Sequence, residues 1–429
     1  MNLPHAILGD YLERTERYTR TQLIPFWATR IEEKRFGGFQ GGYDRHGRRT
    51  AVTDKAMLAQ ARSIVTIAHA MRLGFEWPDG IPALRRGIDF LFNHFHDPLC
   101  DGYFWMTTAE GKVLDEAKVI YGHSFLIYAL AEHALLTGDA SSRSEASRLF
   151  ELLMSRAADI RYGGFLEHFD GQFAPVALRS DGLIHKSLDV HMHLMEAFTS
   201  LYELTRSPRH RQALNDVTGL IFDRMVDPET GAGIAMFKTD WTPIPNLQLG
   251  TLWGCDRFEP AGKPVEITSY GHNIELAWLY LHSLDVLGVS REEGRPRVLP
   301  IFEHTVRHGV DRECGGLFVE GGRRAGATEK NKEFWQQAEA LVGFLDAYEM
   351  TGDARYLDAF RNIHDFVFGK FICWEQGEWY PLLTREGHII RDDLGYHWKV
   401  GYHTVRSMVE VCLRLRKLGA GNDGKDART

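Results

Sequence analysis

The chain has 429 residues, of which 44% are hydrophobic and 12% aromatic, so it can bury a large core and lacks the composition of a disordered protein. Its formal net charge of −8 argues against a nucleic-acid or anionic-membrane partner, because either would require a basic surface. Five scattered cysteines without CxxC spacing favour reduced thiols over a disulfide framework or a zinc knuckle.

The start of the chain, MNLPHAILGDYLERTERYTR, is charged and amphipathic. It lacks the apolar stretch and cleavage site of a signal peptide, and no run in the sequence approaches the roughly 18 apolar residues of a membrane-spanning helix. We therefore expect a soluble, cytoplasmic protein without a membrane partner, either a monomer or a homodimer.

Helical periodicity runs through most of the chain, for example at 56–71 and 334–350. The stretches LLTGDASSR (135–143) and EMTGDARYL (349–357) each contain a glycine that can end one helix and an aspartate that can cap the next. These patterns predict pairs of helices joined by tight turns.

A small element recurs six times between the helical stretches. It consists of glycines, aromatic residues and a polar turn, which is typical of a short β-hairpin. The six copies lie at 37–47, 101–111, 163–171, 231–241, 315–324 and 377–387. Their spacing of roughly 60 to 85 residues leaves room for two helices each, and regular self-similarity of this kind indicates a repeat architecture.

Six helical hairpins can stack as an open solenoid or close into a ring. The repeats are long for a solenoid and polar capping units are missing, so we predict an all-α fold, an (α/α)6 barrel with the short β-hairpins at one end. Without a linker or a break in composition, residues 1–418 are expected to form a single catalytic domain, followed by a flexible tail at 419–429.

The stretch LDVHMHLMEAF (188–198) contains two histidines that a helix would direct apart. Asp189, His193 and Glu196 share one narrow polar stripe, whereas His191 lies among apolar residues. On an inner barrel helix that stripe faces the central cavity, so His193 is the candidate for chemistry and His191 for a structural role.

Two further stretches combine histidine with residues suited to a sugar. His272 and Glu275 are one turn apart in SYGHNIELAWLYL (269–281), and Trp398 and His403 lie near the start of the apolar helix in YHWKVGYHTVRSMVEV (396–411). Tryptophan rings such as that of Trp335, at another helix start, can pack on the C–H faces of a sugar.

Other chemistries lack their motifs. The chain has no GxGxxG after a strand, no GxxxxGK[ST], no GxSxG and no HExxH, and metal ligation by His191 and His193 would need two rings that a helix directs apart. Three histidines at corresponding positions of three repeats instead predict proton transfer near neutral pH.

The sequence resembles the N-acylglucosamine 2-epimerase superfamily, and within it the cellobiose 2-epimerase branch. The resemblance rests on these stretches along the chain: FWATRIEEKRFGGF (26–39), AQARSI (59–64), KVIYGHSFLIYALAE (118–132), HMHLMEAF (191–198), GHNIELAWL (271–279), WQQAEALVGFLDAY (335–348) and WKVGYH (398–403). It implies an (α/α)6 barrel that interconverts C2 epimers of an aldose, or an aldose and a ketose, without a metal or redox cofactor.

The resemblance also implies roles for individual residues. His272 and His403 would exchange the proton at C2 of the opened sugar through a cis-enediolate, and His193 would assist ring opening at O1 and O5. The other residues carried over are substrate-binding ones: Arg62 and Tyr121 at the enediolate or sugar oxygens, Glu275 at hydroxyls or a neighbouring histidine, and Trp335 and Trp398 against the sugar ring. Asp189 is also expected to bind substrate, although it differs from the family residue. Arg62 suits its role because a fixed cation stabilises charge that develops on oxygen.

Three positions depart from the family pattern. Asp189 stands where disaccharide epimerases have Asn, GHNIE (271–275) replaces GHDIE, and WKVGYH (398–403) replaces WKGPYH. An ionised Asp189 accepts hydrogen bonds and donates none, so it would select other hydroxyls or raise the pKa of His193. None of these changes removes a proposed proton carrier, so they bear on the choice of sugar.

The leading hypothesis is therefore an isomerase acting at C1 and C2 of a free reducing sugar, with 2-epimerisation of a cellobiose- or mannobiose-type reducing end ahead of mannose–fructose isomerisation or mannose 2-epimerisation. A glycoside hydrolase with an (α/α)6 barrel would need two carboxylates about 5 to 10 Å apart in the cavity, and three histidines would then lack a role. A non-catalytic sugar-binding module would explain the tryptophans and leave the acid–base residues unexplained.

Overall fold

The computed structural model describes residues 3–177, 183–244 and 267–426, which form two concentric rings of helices. The inner ring contains α3 (Met57–Arg72), α5 (Ile120–Thr137), α7 (Leu188–Thr205), α9 (Tyr270–Leu287), α11 (Phe334–Thr351) and α13 (Tyr402–Asp426). The outer ring contains α1 (Leu3–Tyr18), α2 (Ile24–Ala28), α4 (Gly80–Phe90), α6 (Ala140–Arg156), α8 (Pro208–Leu220), α10 (Arg291–His308) and α12 (Ala354–Phe366). One π-helical turn joins α1 to α2, at Thr19–Leu23, and others extend α4, α8 and α12, at Leu91–Phe95, Ile221–Met225 and Val367–Phe371.

The rings are closed. Each inner helix packs on the next one, and the last, α13, packs on both α11 and α3. The outer helices α4, α6, α8, α10 and α12 each pack on the inner helix that precedes them, and α1 completes the circle by packing on α13. The predicted (α/α)6 barrel is therefore confirmed.

Both predicted helix-to-helix turns are present. Gly138 ends α5 in the left-handed conformation, at φ 74°, and the side chain of Asp139 caps α6 by accepting a hydrogen bond from Ser142 N. Gly352 and Asp353 do the same between α11 and α12. Glycine is favoured at such C-terminal positions because it lacks the Cβ that makes a left-handed residue costly.

Short antiparallel strands lie at the N-terminal ends of the inner helices. Within the described ranges they form five small sheets: β1 (Lys55–Ala56) with β2 (Met106–Thr107) and β3 (Val113–Asp115); β4 (Lys118–Val119) with β5 (His168–Phe169); β6 (His185–Ser187) with β7 (Met236–Lys238); β8 (Ile267–Ser269) with β9 (Glu320–Gly322) and β10 (Ala327–Glu329); and β11 (Lys332–Glu333) with β12 (Leu382–Leu383) and β13 (Ile389–Arg391). Because β1, β4, β6, β8 and β11 each run directly into an inner helix, the hairpins gather at one end of the barrel, as predicted.

A glycine-containing turn follows each outer helix, and a backbone bridge closes it. The six bridges join Glu32 to Phe39, His96 to Tyr103, Ala158 to Phe165, Val226 to Gly233, Val310 to Leu317 and Ile372 to Trp379. The partners are seven residues apart in every case, so the repeat that the sequence suggested is regular in the backbone.

Buried lysines fasten these turns to the inner helices. We call them the turn-binding lysines: Lys55, Lys118, Lys186, Lys332 and Lys399, whose side chains are at most 1% exposed. Lys186 Nζ, for example, donates to Asp159 at 2.7 Å and to the Gly163 carbonyl at 2.6 Å. The fourth repeat has Thr268 at this position, and there Arg323 binds the corresponding Asp227 at 2.8 Å.

The division into a domain at 1–418 and a tail at 419–429 stays a prediction. The backbone of α13 is helical as far as Asp426, and residues 427–429 lie outside the described residues. Cys100, Cys314, Cys373 and Cys412 are unpaired, and Cys255 lies outside the described ranges. None of the helices in these ranges is both long enough and apolar enough to cross a membrane.

Candidate active site

A cavity of about 530 Å³ opens at the N-terminal ends of the inner helices. All nine residues singled out from the sequence line it: Arg62, Tyr121, Asp189, His193, His272, Glu275, Trp335, Trp398 and His403. The structure thus brings the whole predicted set together at one place. The catalytic and binding roles of these residues stay predictions.

The repeat explains this convergence. The residue seven positions after each turn-binding lysine, or after Thr268 in the fourth repeat, lies on the axial side of its inner helix. In chain order these residues are Arg62, Phe125, His193, Glu275, Glu339 and Arg406. Six equivalent positions therefore supply cations, carboxylates, an imidazole and an aromatic ring to the middle of one barrel.

His193 is held between two carboxylates. Its Nδ1 lies 2.9 Å from Glu196 Oε2, and its Nε2 lies 3.4 Å from Asp189 Oδ1. Burial opposes the charged imidazolium, but the neighbouring Asp189 and the hydrogen-bonded Glu196, with Glu275 nearby, outweigh that cost and raise the pKa of His193 to about 9. At neutral pH His193 is therefore a charged proton donor.

His272 occupies the first turn of α9, where Ser269 caps the helix by accepting a hydrogen bond from His272 N. Its Nε2 lies 3.5 Å from Asp189 Oδ1, and its ring packs on Trp335 with centroids 4.8 Å apart. Burial lowers the pKa of His272 because the nearby Asp189 only partly compensates. His272 is consequently neutral at pH 7 and able to accept a proton.

His403 lies beside the same tryptophan, with ring centroids 5.7 Å apart. Its Nδ1 lies 2.7 Å from Glu339 Oε1, which leaves Nε2 as the second basic atom of the ring. Burial lowers the pKa of His403 to about 3, and the Glu339 carboxylate offsets this only in part. His403 is thus a second neutral imidazole at the cavity.

Arg62 links three parts of the cavity wall. Its Nη2 donates to the Tyr121 hydroxyl at 2.8 Å, and its Nη1 donates to the Trp398 carbonyl at 3.0 Å. The guanidinium also lies over the ring of Phe125, 4.5 Å from its centroid. These contacts fix a positive charge on the cavity wall, where it can stabilise an oxyanion.

The sequence did not single out Glu339 and Arg406, which support this site together with Tyr402. Glu339 holds His403, Tyr402 donates to Glu196 at 2.8 Å, and Arg406 binds both Glu196 and Glu339. Tyr402 and Arg406 lie beneath the cavity lining and Glu339 is fully buried. The equivalence of Arg406 with His193 in the repeat was the signal that could have found it.

His191 has the structural role that was predicted for it. It is fully buried, its Nε2 accepts from Phe165 N at 3.0 Å, and its Nδ1 lies 2.8 Å from the Ser187 carbonyl. Asn273 occupies the same position in its repeat and accepts from Gly233 N at 2.9 Å. The departure at Asn273 from the family pattern therefore concerns the fastening of a turn and lies away from the cavity lining.

A closed barrel here brings two buried histidines, the partly buried His272 and two tryptophans to one cavity, with a carboxylate beside each histidine, a set of side chains suited to acid–base chemistry on a polyhydroxylated ligand. The N-acylglucosamine 2-epimerase family model matches residues 37–407. A cellobiose 2-epimerase from Ruminococcus albus is 30% identical over 406 residues, covering 91% of this chain and 96% of the relative. The chain belongs to the N-acylglucosamine 2-epimerase family and is a carbohydrate epimerase or isomerase.

Two further comparisons bear on the fold and on the range of reactions in the family. The structure of cellobiose 2-epimerase from Spirochaeta thermophila superposes with a TM-score of 0.85 at 26% identity, covering 97% of this chain and 99% of that one. A D-mannose isomerase from Marinomonas mediterranea is 23% identical over 342 residues, covering 78% of this chain and 80% of the relative.

Proposed function

We propose that the protein epimerises the reducing-end sugar of a cellobiose- or mannobiose-type disaccharide at C2. The observation that carries this proposal is the presence of two neutral imidazoles, His272 and His403, against the same tryptophan and beside one charged imidazolium, His193. An epimerase needs two proton carriers because the proton leaves one face of C2 and returns to the other.

The reaction begins with ring opening. The His193 imidazolium donates its proton to O5 while one of the two neutral histidines takes the O1 hydroxyl proton, which gives the open-chain aldehyde. A neutral histidine, His272 or His403 according to the epimer bound, then takes the proton from C2. The electron pair moves toward the carbonyl oxygen and produces a cis-enediolate. The other histidine, which holds the O1 proton, then protonates C2 from the opposite face and gives the epimer. In ring closure the proton taken from C2 passes to O1, and the O5 proton returns to His193.

The negative charge of the enediolate is balanced by the cavity wall. Arg62 supplies a fixed cation, and the inner helices direct their N-terminal ends, which carry partial positive charge, toward the cavity. Tyr121, Asp189, Trp335 and His403 each lie in the first turn of their helices. The helix ends thus support the same charge that Arg62 stabilises.

The disaccharide is favoured by the extent of the cavity. Beyond the histidines, the cavity continues along Leu382, Ile390, Arg391 and Tyr396 in the hairpins at the barrel mouth. Its volume of about 530 Å³ lies within the range of about 300 to 1,000 Å³ that is usual for pockets of small ligands. The cellobiose 2-epimerases among the relatives also support this substrate class.

Mannose–fructose isomerisation is the second candidate, because protonation of the same enediolate at C1 gives a ketose. The D-mannose isomerase relative supports it. An aldose–ketose isomerase needs only one carrier between C1 and C2, so two neutral histidines favour epimerisation. Glycoside hydrolysis has less support: Glu275 binds Arg406 at 3.0 Å and Asp189 faces two histidines, so neither carboxylate is placed as an acid–base pair for hydrolysis.

The test is proton NMR of the protein in D2O with cellobiose and with mannose, supplied separately. The expected result is deuterium at C2 of the reducing-end glucose unit of cellobiose, together with formation of the disaccharide in which that unit has become mannose. A ketose from mannose, without reaction of cellobiose, would replace the proposal by the second candidate. Cleavage of cellobiose without deuterium at C2 would contradict both.

A further inference from the structure

We infer that Arg406 is a positioning residue that holds His193 and His403 in their working orientations through two buried glutamates, Glu196 and Glu339. This inference rests on the proposed function, since it concerns the proton carriers of that reaction. Arg406 itself lies outside the cavity lining and its side chain is 1% exposed, so it acts through its neighbours.

One guanidinium binds three carboxylates from three inner helices. Its Nη1 donates to Glu196 of α7, and its Nη2 donates to Glu275 of α9 at 3.0 Å and to Glu339 of α11 at 2.8 Å. The Tyr402 ring lies beneath it, 4.0 Å from the guanidinium carbon. A planar fork with donors on two sides suits this arrangement, and an ammonium, which acts as a point charge, does not.

Two of these carboxylates hold the histidines. Glu196 Oε2 lies 2.9 Å from His193 Nδ1, and Glu339 Oε1 lies 2.7 Å from His403 Nδ1. A carboxylate at Nδ1 fixes the orientation and the tautomer of an imidazole and leaves Nε2 for the reaction. Arg406 is the group that the two carboxylate–histidine pairs share.

The third carboxylate shows why a cation is required here. Glu275, Glu339 and His403 place one ligand atom each within 4.8 Å of one another, a spacing that would also suit a metal ion. Arg406 Nη2 already contacts both carboxylates, so a guanidinium supplies this positive charge. Burial and the neighbouring Glu339 raise the pKa of Glu275 to about 8. Without Arg406 these acids would take up protons and release the histidines.

The first experiment compares Arg406→Lys with Arg414→Lys by steady-state kinetics and by deuterium exchange at C2 of cellobiose and of its epimer. Arg414 is a matched control: it is a buried arginine on the same helix, bound to Asp346 at 2.9 Å and to Glu410, and it lies away from the cavity lining. For Arg406→Lys we expect kcat to fall by about 10²-fold with KM within about threefold, in both directions of reaction, because both histidines lose their support. Arg414→Lys should leave both constants within about twofold.

A folded Arg406→Lys variant with wild-type kcat would overturn the inference, and so would an equal loss in Arg414→Lys. If Arg406→Lys does not fold, Glu196→Gln provides the test, because Glu196 contacts His193 and Arg406 and has no hydrogen bond or ion pair with His403. The 15N signals of His403 should move in that variant, and unchanged signals would overturn the inference. Absence of C2 exchange in the wild-type protein would instead contradict the proposed function itself.

Discussion

His193 and His272 share one oxygen of Asp189, which lies 3.4 Å from Nε2 of the first and 3.5 Å from Nε2 of the second. The two histidines come from different helices, α7 and α9. A carboxylate in this place stabilises a proton on either ring, whereas the asparagine of the family pattern carries no charge. Asp189 thus couples the protonation of the proposed ring-opening acid to that of one proposed base.

The first prediction concerns Asp189→Asn. Loss of the charge should lower the pKa of His193 from its raised value of about 9 and lower the already depressed pKa of His272 further. In a plot of kcat/KM against pH, the fall on the alkaline side reports the loss of the His193 proton. When the substrate is the epimer that His272 deprotonates, the fall on the acid side reports protonation of His272. Both limbs should move to lower pH by about one unit. An unchanged profile from both epimers would remove Asp189 from this role.

The second prediction separates the two bases. His272→Ala and His403→Ala should each reduce epimerisation by about 10²- to 10⁴-fold, the usual contribution of a general acid–base residue. Each variant should still exchange the C2 proton of one of the two epimers with D2O. The epimer that exchanges should differ between the two variants. Proton NMR of both sugars with both variants measures this. If both variants exchange the C2 proton of the same epimer, the two histidines do not act on opposite faces of C2.

The third prediction concerns a turn-binding lysine. Lys332 is fully buried, and its Nζ donates to Asp311 at 3.0 Å and to the Arg385 carbonyl at 2.8 Å. Lys332→Met leaves the buried Asp311 with Arg385 as its remaining cation and the Arg385 carbonyl without this donor, and should cost about 1 to 3 kcal/mol of unfolding free energy. Chemical denaturation measures the loss. Lys330→Met, an exposed lysine two residues away, is the control and should change stability by less than about 0.5 kcal/mol.

The fourth prediction concerns stability at alkaline pH. Burial opposes a charge on His69, but the Glu132 carboxylate, 3.5 Å from Nδ1, and the hydrogen bond to Glu410 outweigh it and raise the pKa of His69 from 6.5 to about 9. The folded state therefore holds this proton more tightly than the unfolded state. The stabilisation, about 3 kcal/mol, is complete below about pH 6.5 and is lost as the pH rises through about 9.

Thermal unfolding from pH 6 to 10 tests the effect of His69. The decline in stability should be shallower in His69→Gln than in the wild-type protein, while exposed His388→Gln should follow the wild type. Parallel curves for His69→Gln and the wild type would mean that the proton of His69 does not contribute.

The fold and the composition of the cavity could be predicted from the sequence because both leave periodic signals. Glycine-containing hairpins at regular spacing gave six repeats, and the 3.6-residue period placed His193 on the axial face of α7 and His191 on the opposite one. The residues carried over by family resemblance then agreed with the cavity lining, as Trp335 and Trp398 do.

The buried residues that hold the catalytic candidates in place could not be predicted in the same way. Arg406 and Glu339 lie in apolar helical stretches, where a charged residue by itself does not indicate its partner. Their pairing depends on contacts 67 residues apart in sequence, across two helices of the ring. The turn-binding lysines also escaped notice, because a lysine ahead of a helix is ordinarily exposed and nothing local indicates that it is buried.

The regular offset between the turn-binding lysines and the axial residues divides the tasks of each inner helix. If the turn-binding lysine is counted as position zero, positions zero and five hold the turns, as Lys186 and His191 do. Position seven faces the barrel axis, as His193 does. Substitutions at the axial positions therefore leave the contacts that hold the turns in place. A barrel built in this way can exchange its chemistry one repeat at a time while its architecture persists, which makes it a suitable scaffold for evolving or redesigning activity toward other sugars.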